Sequence, residues 1–397
     1  MKLFLQFGFG MMKLSKELIK TWGEGTVILS PRDLEPEQLP RFSKELHRIN
    51  GETLLDPQFY LPRSDHHRLT KHGYWPNDYE TSAFPSAGQT EMLDRLIELN
   101  EELGTSHFIV PGLRAASIDD VWLDSQNRFY EASTALTNKP LLVTICLSEY
   151  AIRNEDQITK LLSVCEQLQA FGYYLMIEPP ANSYLVDDPI WLAHILDLCA
   201  SLKRQGSKVI YGCGNHQQLI LSCAAIDAIS SGTWLNVRSF VPDKYRTKIG
   251  KDDQSRRATW YYCPQTLTEY KLPYVDLAFE HGLIEKIKPN PSTPYSEGLF
   301  SGSQPSASGW GEYEAVRHYL CALKEQISGA IQPTFEGTLN LRENHLAQAR
   351  ELLTVLHDAK IRGEDRDFWK CLDSSEAALE IFKKTHGPSV KWKWQQM

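Results

Sequence analysis

The run Leu54-Leu55-Asp56-Pro57-Gln58-Phe59-Tyr60 places a carboxylate directly after two apolar residues and before a proline. A carboxyl group at the tip of a buried strand loses solvation, and its pKa rises unless a cation or a donor holds the charged form. A group tuned in that direction suits general acid or base work near neutral pH. The same residue in a plain turn does no more than accept backbone N–H bonds. Glu178 repeats the pattern after Leu175-Met176-Ile177, and Pro179-Pro180 fixes the direction of the chain beyond it.

Other polar residues follow apolar runs in the same way. Arg32-Asp33 comes after Thr26 to Leu29 and reads either as an anion clamp with its own counter-ion or as a salt bridge shaping the loop. Asn215-His216 opens a short helix, whose free N–H groups attract an anion; Asn215 as a plain cap is the other reading. Ser230 follows Ile226 to Ile229, a run that carries Asp227. The catalytic candidates are therefore Asp56, Glu178 and Asp227. The substrate-binding candidates are Arg32, Gln58, Arg114, Asn215, His216 and Ser230.

These residues share one place only if the apolar runs are parallel strands of a single sheet. Eight such runs are expected: Leu3 to Phe7, Thr26 to Leu29, Thr53 to Leu55, His107 to Val110, Leu141 to Cys146, Tyr173 to Ile177, Val209 to Tyr211 and Ile226 to Ile229. Segments with helical spacing alternate with them. That count predicts an α/β chain with a (β/α)8 TIM barrel, against a doubly wound open sheet, and in a barrel the C-terminal strand tips converge on one cavity. The barrel is expected over 1–288, a Pro/Ser/Gly-rich linker or surface loop over 289–311, and a C-terminal helical appendage over 312–397.

The net charge of −8 argues against a protein that coats nucleic acid indiscriminately, but leaves room for a local basic groove. Such a groove is expected at Arg238, Lys244, Arg246, Lys248, Lys251, Arg256 and Arg257, where Trp234, Phe240, Tyr245, Trp260, Tyr261 and Tyr262 interleave. Cations for phosphates and aromatic faces for bases are what single-strand binding or base extrusion requires. A solvated loop covering the barrel rim has the same composition. His66, His67 and His72 resemble a metal cluster by count, without a carboxylate at ligand spacing. No metal or cofactor is expected. The eight cysteines form no CxxC pair, and the apolar N-terminal run is short for a signal or a span. A cytoplasmic protein away from the membrane is the expectation.

Three stretches resemble the tRNA-guanine transglycosylase superfamily, in particular its diverged DNA-modifying (DpdA-type) branch. Leu54-Leu55-Asp56-Pro57-Gln58-Phe59 is similar to the family's L-T-D-S-G-G-F-Q strand end, whose Asp is the proposed general base. Lys208-Val209-Ile210-Tyr211-Gly212-Cys213-Gly214 resembles R-Y-L-M-G-V-G, and Ala225-Ile226-Asp227-Ala228-Ile229-Ser230 resembles G-I-D-M-F-D. The family's nucleophilic Asp falls on Ser230, with Asp227 on the earlier Asp of that motif. Its F-D-E falls near Pro111-Gly112 and its G-I-V-Q-G near Thr144 to Leu147. Its C-x-C-x-x-C zinc pattern is absent, although Cys263 and His281 lie in that region.

The resemblance implies a transglycosylase-like enzyme, a glycosyltransferase acting on the N-glycosidic bond of a guanine or 7-deazaguanine type base in DNA or tRNA. It also implies nucleic acid modification and phage defence, with a homodimer or other modification-system proteins as partners. Two alternatives stand beside it. One is a TIM-barrel hydrolase or lyase on a small anionic substrate. The other is a non-catalytic nucleic-acid-binding subunit of a modification or defence system.

Overall fold

The computed structural model describes residues 1–247 and 258–397. Strands β1 (Lys2–Gln6), β2 (Gly25–Leu29), β3 (Gly51–Leu55), β4 (Phe108–Val110), the two-residue β5 (Arg114–Ala115), β6 (Leu141–Leu147), β7 (Gly172–Ile177), β8 (Lys208–Tyr211) and β9 (Ala228–Ser231) form one sheet. Its order is β3-β2-β1-β9-β8-β7-β6-β4, with every pair parallel and β5 added against β6. The two ends of that order, β3 and β4, lie against each other. Main-chain bonds stitch the seam, from Ser106 N–H to the Thr53 carbonyl (3.3 Å) and from Arg114 N–H to the Tyr60 carbonyl (3.0 Å). Eight parallel strands closed in this way are a (β/α)8 TIM barrel.

Helices α1 (Met11–Trp22), α2 (Gln38–His47), α3 (Gln89–Leu103), α4 (Asp120–Leu136), α5 (Glu155–Leu168) and α6 (Pro189–Arg204) make the crossovers; a 3-10 helix at His216–Ala224 makes the last. Their apolar faces carry the pattern that the sequence shows. Leu14, Leu18 and Ile19 of α1 and Leu39, Phe42 and Leu46 of α2 are buried against the strands. Parallel strands covered by helices outside and filled by side chains inside read as continuous apolar runs, which is why β6 and β7 are buried along their whole length.

Beyond β9 the chain forms a hairpin, β10 (Trp260–Cys263) and β11 (Thr268–Lys271), that the sequence reading lacks. Helices α7 (Leu272–Glu280), α8 (Ile284–Ile287), α9 (Glu312–Ser328), α10 (Phe335–Asp358), α11 (Leu372–Thr385) and α12 (Gly387–Lys393) complete the C-terminal helical region. Tyr261, Tyr270, Val275, Ile287, Leu299 and Trp310 form a second core with Leu356 and Ile361, so residues of 289–311 pack on both the hairpin and α10. Helix α9 lies on β1, and α11 lies on α6.

Glu17 of α1 is one polar tie between barrel and appendage, alongside that of His386 with Asp197 of α6 (2.9 Å). The Glu17 carboxylate accepts from Arg317 Nε (2.8 Å) and Nη2 (2.6 Å), from the Tyr295 hydroxyl (3.0 Å) and from the Tyr313 hydroxyl (2.9 Å). The Arg317 hydrogen bonds, with the two tyrosines, hold its pKa down at about 2. A depressed carboxylate stabilises the fold fully above its unfolded pKa and ceases to do so as pH falls towards the folded value. Glu17→Gln is therefore expected to cost about 2 kcal/mol at pH 7, in the range for hydrogen bonds to a charged group. Urea unfolding at pH 7 and pH 3.5 checks this, and the gap between variant and wild type should narrow at the lower pH.

Candidate active site at the barrel mouth

Asp56 follows β3 and points into the hollow at the C-terminal end of the barrel. Its Oδ1 accepts from Gln58 N–H (2.9 Å) and the Tyr60 hydroxyl (2.8 Å); its Oδ2 lies 2.9 Å from the Tyr60 hydroxyl and 3.4 Å from that of Tyr174. The Tyr174 hydroxyl also reaches Gln6 Oε1 (3.2 Å), and Ser230 Oγ donates to the same oxygen (2.7 Å) while accepting Cys213 N–H (3.1 Å). On the other side, Gln58 Nε2 donates to Ser30 Oγ (2.8 Å), and Ser30 donates to Asp33 (2.8 Å). Gln58 Oε1 accepts Arg32 N–H (2.9 Å). Asp56, Gln58, Ser230 and Arg32 thus belong to one connected set. Gly212 makes room for it, since a Cβ there would sit 2.2 Å from Met176 Sδ and 2.9 Å from the Tyr174 ring.

Asp56 is 1% exposed. Burial pushes its carboxyl up to about 6, against the opposing pull of the Tyr60 and Gln58 bonds and of Lys244. The group therefore titrates close to neutrality, as the apolar approach of β3 predicts.

A strap formed by residues 233–247 closes the hollow from above. The Phe240 and Tyr245 rings meet Tyr60 edge-on at 5.2 Å and 5.0 Å. Ser64 Oγ donates to the Tyr245 carbonyl (2.7 Å), Arg32 Nη1 to the Lys244 carbonyl (3.4 Å), and Thr247 Oγ1 to the Asp65 carbonyl (3.1 Å). The basic and aromatic composition of this stretch thus serves in part to cover the barrel rim.

Glu178, after β7, accepts from Arg114 Nε (2.9 Å) and pairs again with its Nη2. The pair stands beside the hollow, because Arg114 donates its main-chain N–H to the Tyr60 carbonyl (3.0 Å) and lies opposite Cys146 in the ladder. Next to it opens a cleft of 1080 Å³ between the loop after β3 and the start of α4. Arg63, Arg114, Arg128 and Arg246 line it together with Glu80, which pairs with Arg63 (3.2 Å), and Asp119; Tyr79 and Trp122 are among its aromatic walls and Tyr60 is at its inner end. The long polar and aromatic loop from Pro62 to Pro85 is one wall of this cleft.

Several expectations are corrected by their surroundings. Asp227 precedes β9 and so sits at the N-terminal face, opposite Asp56. It binds Lys203 (2.8 Å), Lys208 (3.0 Å) and Val209 N–H (2.8 Å), so it cannot act on the same substrate atom. Asn215 is a cap, accepting Gln217 N–H (2.8 Å) and donating to the Tyr184 and Arg238 carbonyls. His216 is fully buried under the appendage, among Tyr184, Tyr262, Tyr319 and Phe368. Arg238 turns inward to Glu269 (3.3 Å) and lies 3.4 Å over the Tyr319 ring, and Lys244 is 9% exposed, so neither presents a phosphate contact. Arg246, with its side chain 59% exposed, lines the cleft and pairs with Asp243 (3.4 Å). Lys248, Lys251, Arg256 and Arg257 lie outside the described residues. His66 stacks on His67 while His72 bonds the Pro31 carbonyl, and among the described residues no three His, Cys, Asp or Glu side chains gather as a metal site.

Sequence reasoning passed over Gln6, Tyr60, Tyr174 and Cys213. Polar residues inside an otherwise apolar strand were the available signal for Gln6 and Tyr174. Tyr60 bonds Asp56 from four residues further along the same loop, and only its packing under Phe240 and Tyr245 of the strap lies beyond a local reading.

No family model and no curated protein matches this chain. Among solved structures, a Pseudomonas aeruginosa protein described as a dihydrodipicolinate synthetase is similar at 12% identity, covering 82% of this chain and 99% of that one, with a TM-score of 0.34. Among the described residues no helix is long and apolar enough to cross a membrane.

A carboxyl whose folded pKa is raised destabilises the fold once ionised, from the unfolded value upwards. Asp56→Asn keeps the shape and can still accept from Gln58 and Tyr60. The variant should therefore gain stability relative to wild type as pH rises from 4 to 8, by on the order of 1–2 kcal/mol. Paired urea titrations at the two pH values measure it. A constant difference would mean that Asp56 does not titrate in this window.

Proposed function

We propose that the barrel mouth acts on the N-glycosidic bond of a nucleobase in DNA or tRNA, with Asp56 as the acid/base. The observation that carries this reading is a carboxyl that titrates near neutrality beside a cleft walled by arginines and aromatic rings. Arginines suit the phosphates of a strand, and aromatic faces suit an extruded base. A protonated Asp56 would give its proton to the departing base nitrogen, and the carboxylate would then accept one from the attacking group. The likeness of the β3 tip to the transglycosylase strand end supports the same role. Asp227 has no part in it, and Glu178, held by Arg114, is a rim group that orients the cleft's arginine. Closure of the hollow over Asp56 favours a second reading, a hydrolase or lyase on a small anionic substrate.

The test is base release or base exchange on single-stranded DNA, duplex DNA and tRNA. Asp56→Asn should lower turnover by roughly 100-fold or more, the usual size of an acid/base contribution. Arg128→Glu with Arg246→Glu should weaken binding and flatten its salt dependence. Equal turnover by Asp56→Asn and wild type would remove Asp56 from the chemistry and leave the small-substrate reading.

A further inference from the structure

Lys244 is the unusual member of the strap. Its side chain points down into the barrel mouth, where the amine donates to the Asn236 carbonyl, to the Ser239 carbonyl (3.4 Å) and towards Cys213 Sγ (3.8 Å). Among the described residues no carboxylate lies within ion-pair distance of it. An ammonium group taken out of water without a counter-ion is costly, so its charged form is disfavoured there. Burial lowers its pKa, and the charged or titratable groups acting on it are Cys213, Arg32, Asp33 and Asp56. Cys213, beside the amine, donates its N–H to Ser230 (3.1 Å), and Tyr245, next along the strap, meets the Tyr60 ring whose hydroxyl bonds Asp56 (2.8 Å), so the amine and Asp56 border the same hollow. Arg246 and Thr247, two and three residues further along the strap, line the arginine cleft. The cleft therefore reaches the strap two residues beyond Lys244.

We propose that Lys244 is a nucleophile at this site and forms an imine with the C1′ carbon of a nucleoside sugar. The inference rests on the nucleobase reading above and supplies the attacking group that Asp227 cannot. The neutral amine attacks C1′ as the bond from C1′ to the base nitrogen breaks. The base nitrogen keeps that electron pair and takes the proton of Asp56. The Asp56 carboxylate takes the proton shed by the attacking nitrogen. The C1′–O4′ bond then opens, the remaining N–H proton moves to O4′, and a C1′=N double bond joins the sugar to Lys244. Water hydrolyses the imine and returns the amine. The strap must lift for the sugar to reach Lys244, and the Tyr245 and Thr247 main-chain and hydroxyl bonds to the Ser64–Asp65 turn are what would release.

The experiment uses the full chain, an oligonucleotide bearing an abasic deoxyribose, whose aldehyde needs no base release, and sodium borohydride. A covalent protein–DNA adduct is expected on the peptide that contains Lys244, and Lys244→Arg, whose guanidinium stays protonated and forms no imine, should reduce it at least tenfold. Peptide mapping of the wild-type adduct decides the matter even if the variant folds poorly. An adduct at other lysines, or none, overturns the inference. Base release without a trapped adduct overturns it while leaving the nucleobase reading in place. An adduct at Lys244 without base release from any nucleic acid upholds the amine and overturns that reading instead.

Discussion

A carboxyl group taken out of water with uncharged donors for company is the constraint on which the barrel mouth depends. Among the described residues Asp56 and Glu269 are the two most deeply buried carboxyl groups, and they behave oppositely. Asp56 meets two tyrosine hydroxyls and a backbone N–H, and burial wins, raising its pKa to about 6. Glu269 is as deeply buried, yet Arg238 and Arg366 share its Oε2 at 3.3 Å and 2.8 Å, and its pKa is lowered. Desolvation acts on both; the guanidinium groups decide the sign. One carboxylate is thereby a permanent charge that holds structure together, and the other is open to protonation near neutral pH.

The permanent pair also explains how the strap is held. Arg238 lies near the start of the strap, and its Nε donates to the Gly232 carbonyl (2.8 Å) while its Nη1 reaches Glu269 on β11. Arg366, from the loop before α11, closes the group and lies 3.9 Å over the Trp260 ring. The first half of the strap is therefore tied to the hairpin and the C-terminal region by buried charge. Its second half is held to the Ser64–Asp65 turn by hydroxyl-to-carbonyl bonds, a weaker class of contact. The appendage is in this sense part of the barrel's lid support, and Glu17 with Arg317 anchors it from the far side.

What was legible in the sequence follows from what is local. Apolar runs ended by polar residues mark the strands and their tips, so the barrel and the position of Asp56 are read directly from Leu54-Leu55-Asp56. The same method misplaces Asp227, because the run Ile226 to Ile229 does not say where the hydrogen-bonded ladder begins. The ladder starts at Ala228, and a shift of two residues moves a carboxylate from the strand to its N-terminal end, where it binds two lysines. His216 and Arg238 fail for a different reason. Both look like mouth residues until helices and a hairpin from beyond residue 258 cover them, and no periodicity near residue 216 or 238 encodes that cover. The cleft was half visible: its long aromatic loop was conspicuous, but Arg63 and Arg128 had no pattern to single them out.

The inward cations make a final distinction. Arg114, Arg238, Arg317, Arg366 and Lys203 each meet a carboxylate. Among the described residues Lys244 and Arg342 make no ion pair, although both are buried. A guanidinium stays protonated under almost any surroundings, so Arg342, on α10 beside Cys223 and Tyr262, remains a charge that the interface must tolerate. An ammonium has the other option of losing its proton, and carbonyl oxygens that receive its remaining N–H bonds do not prevent that. The same burial therefore disfavours the charge at both positions, the guanidinium of Arg342 and the ammonium of Lys244, and only the second can shed it. It is the second that faces the carboxyl able to hand over a proton.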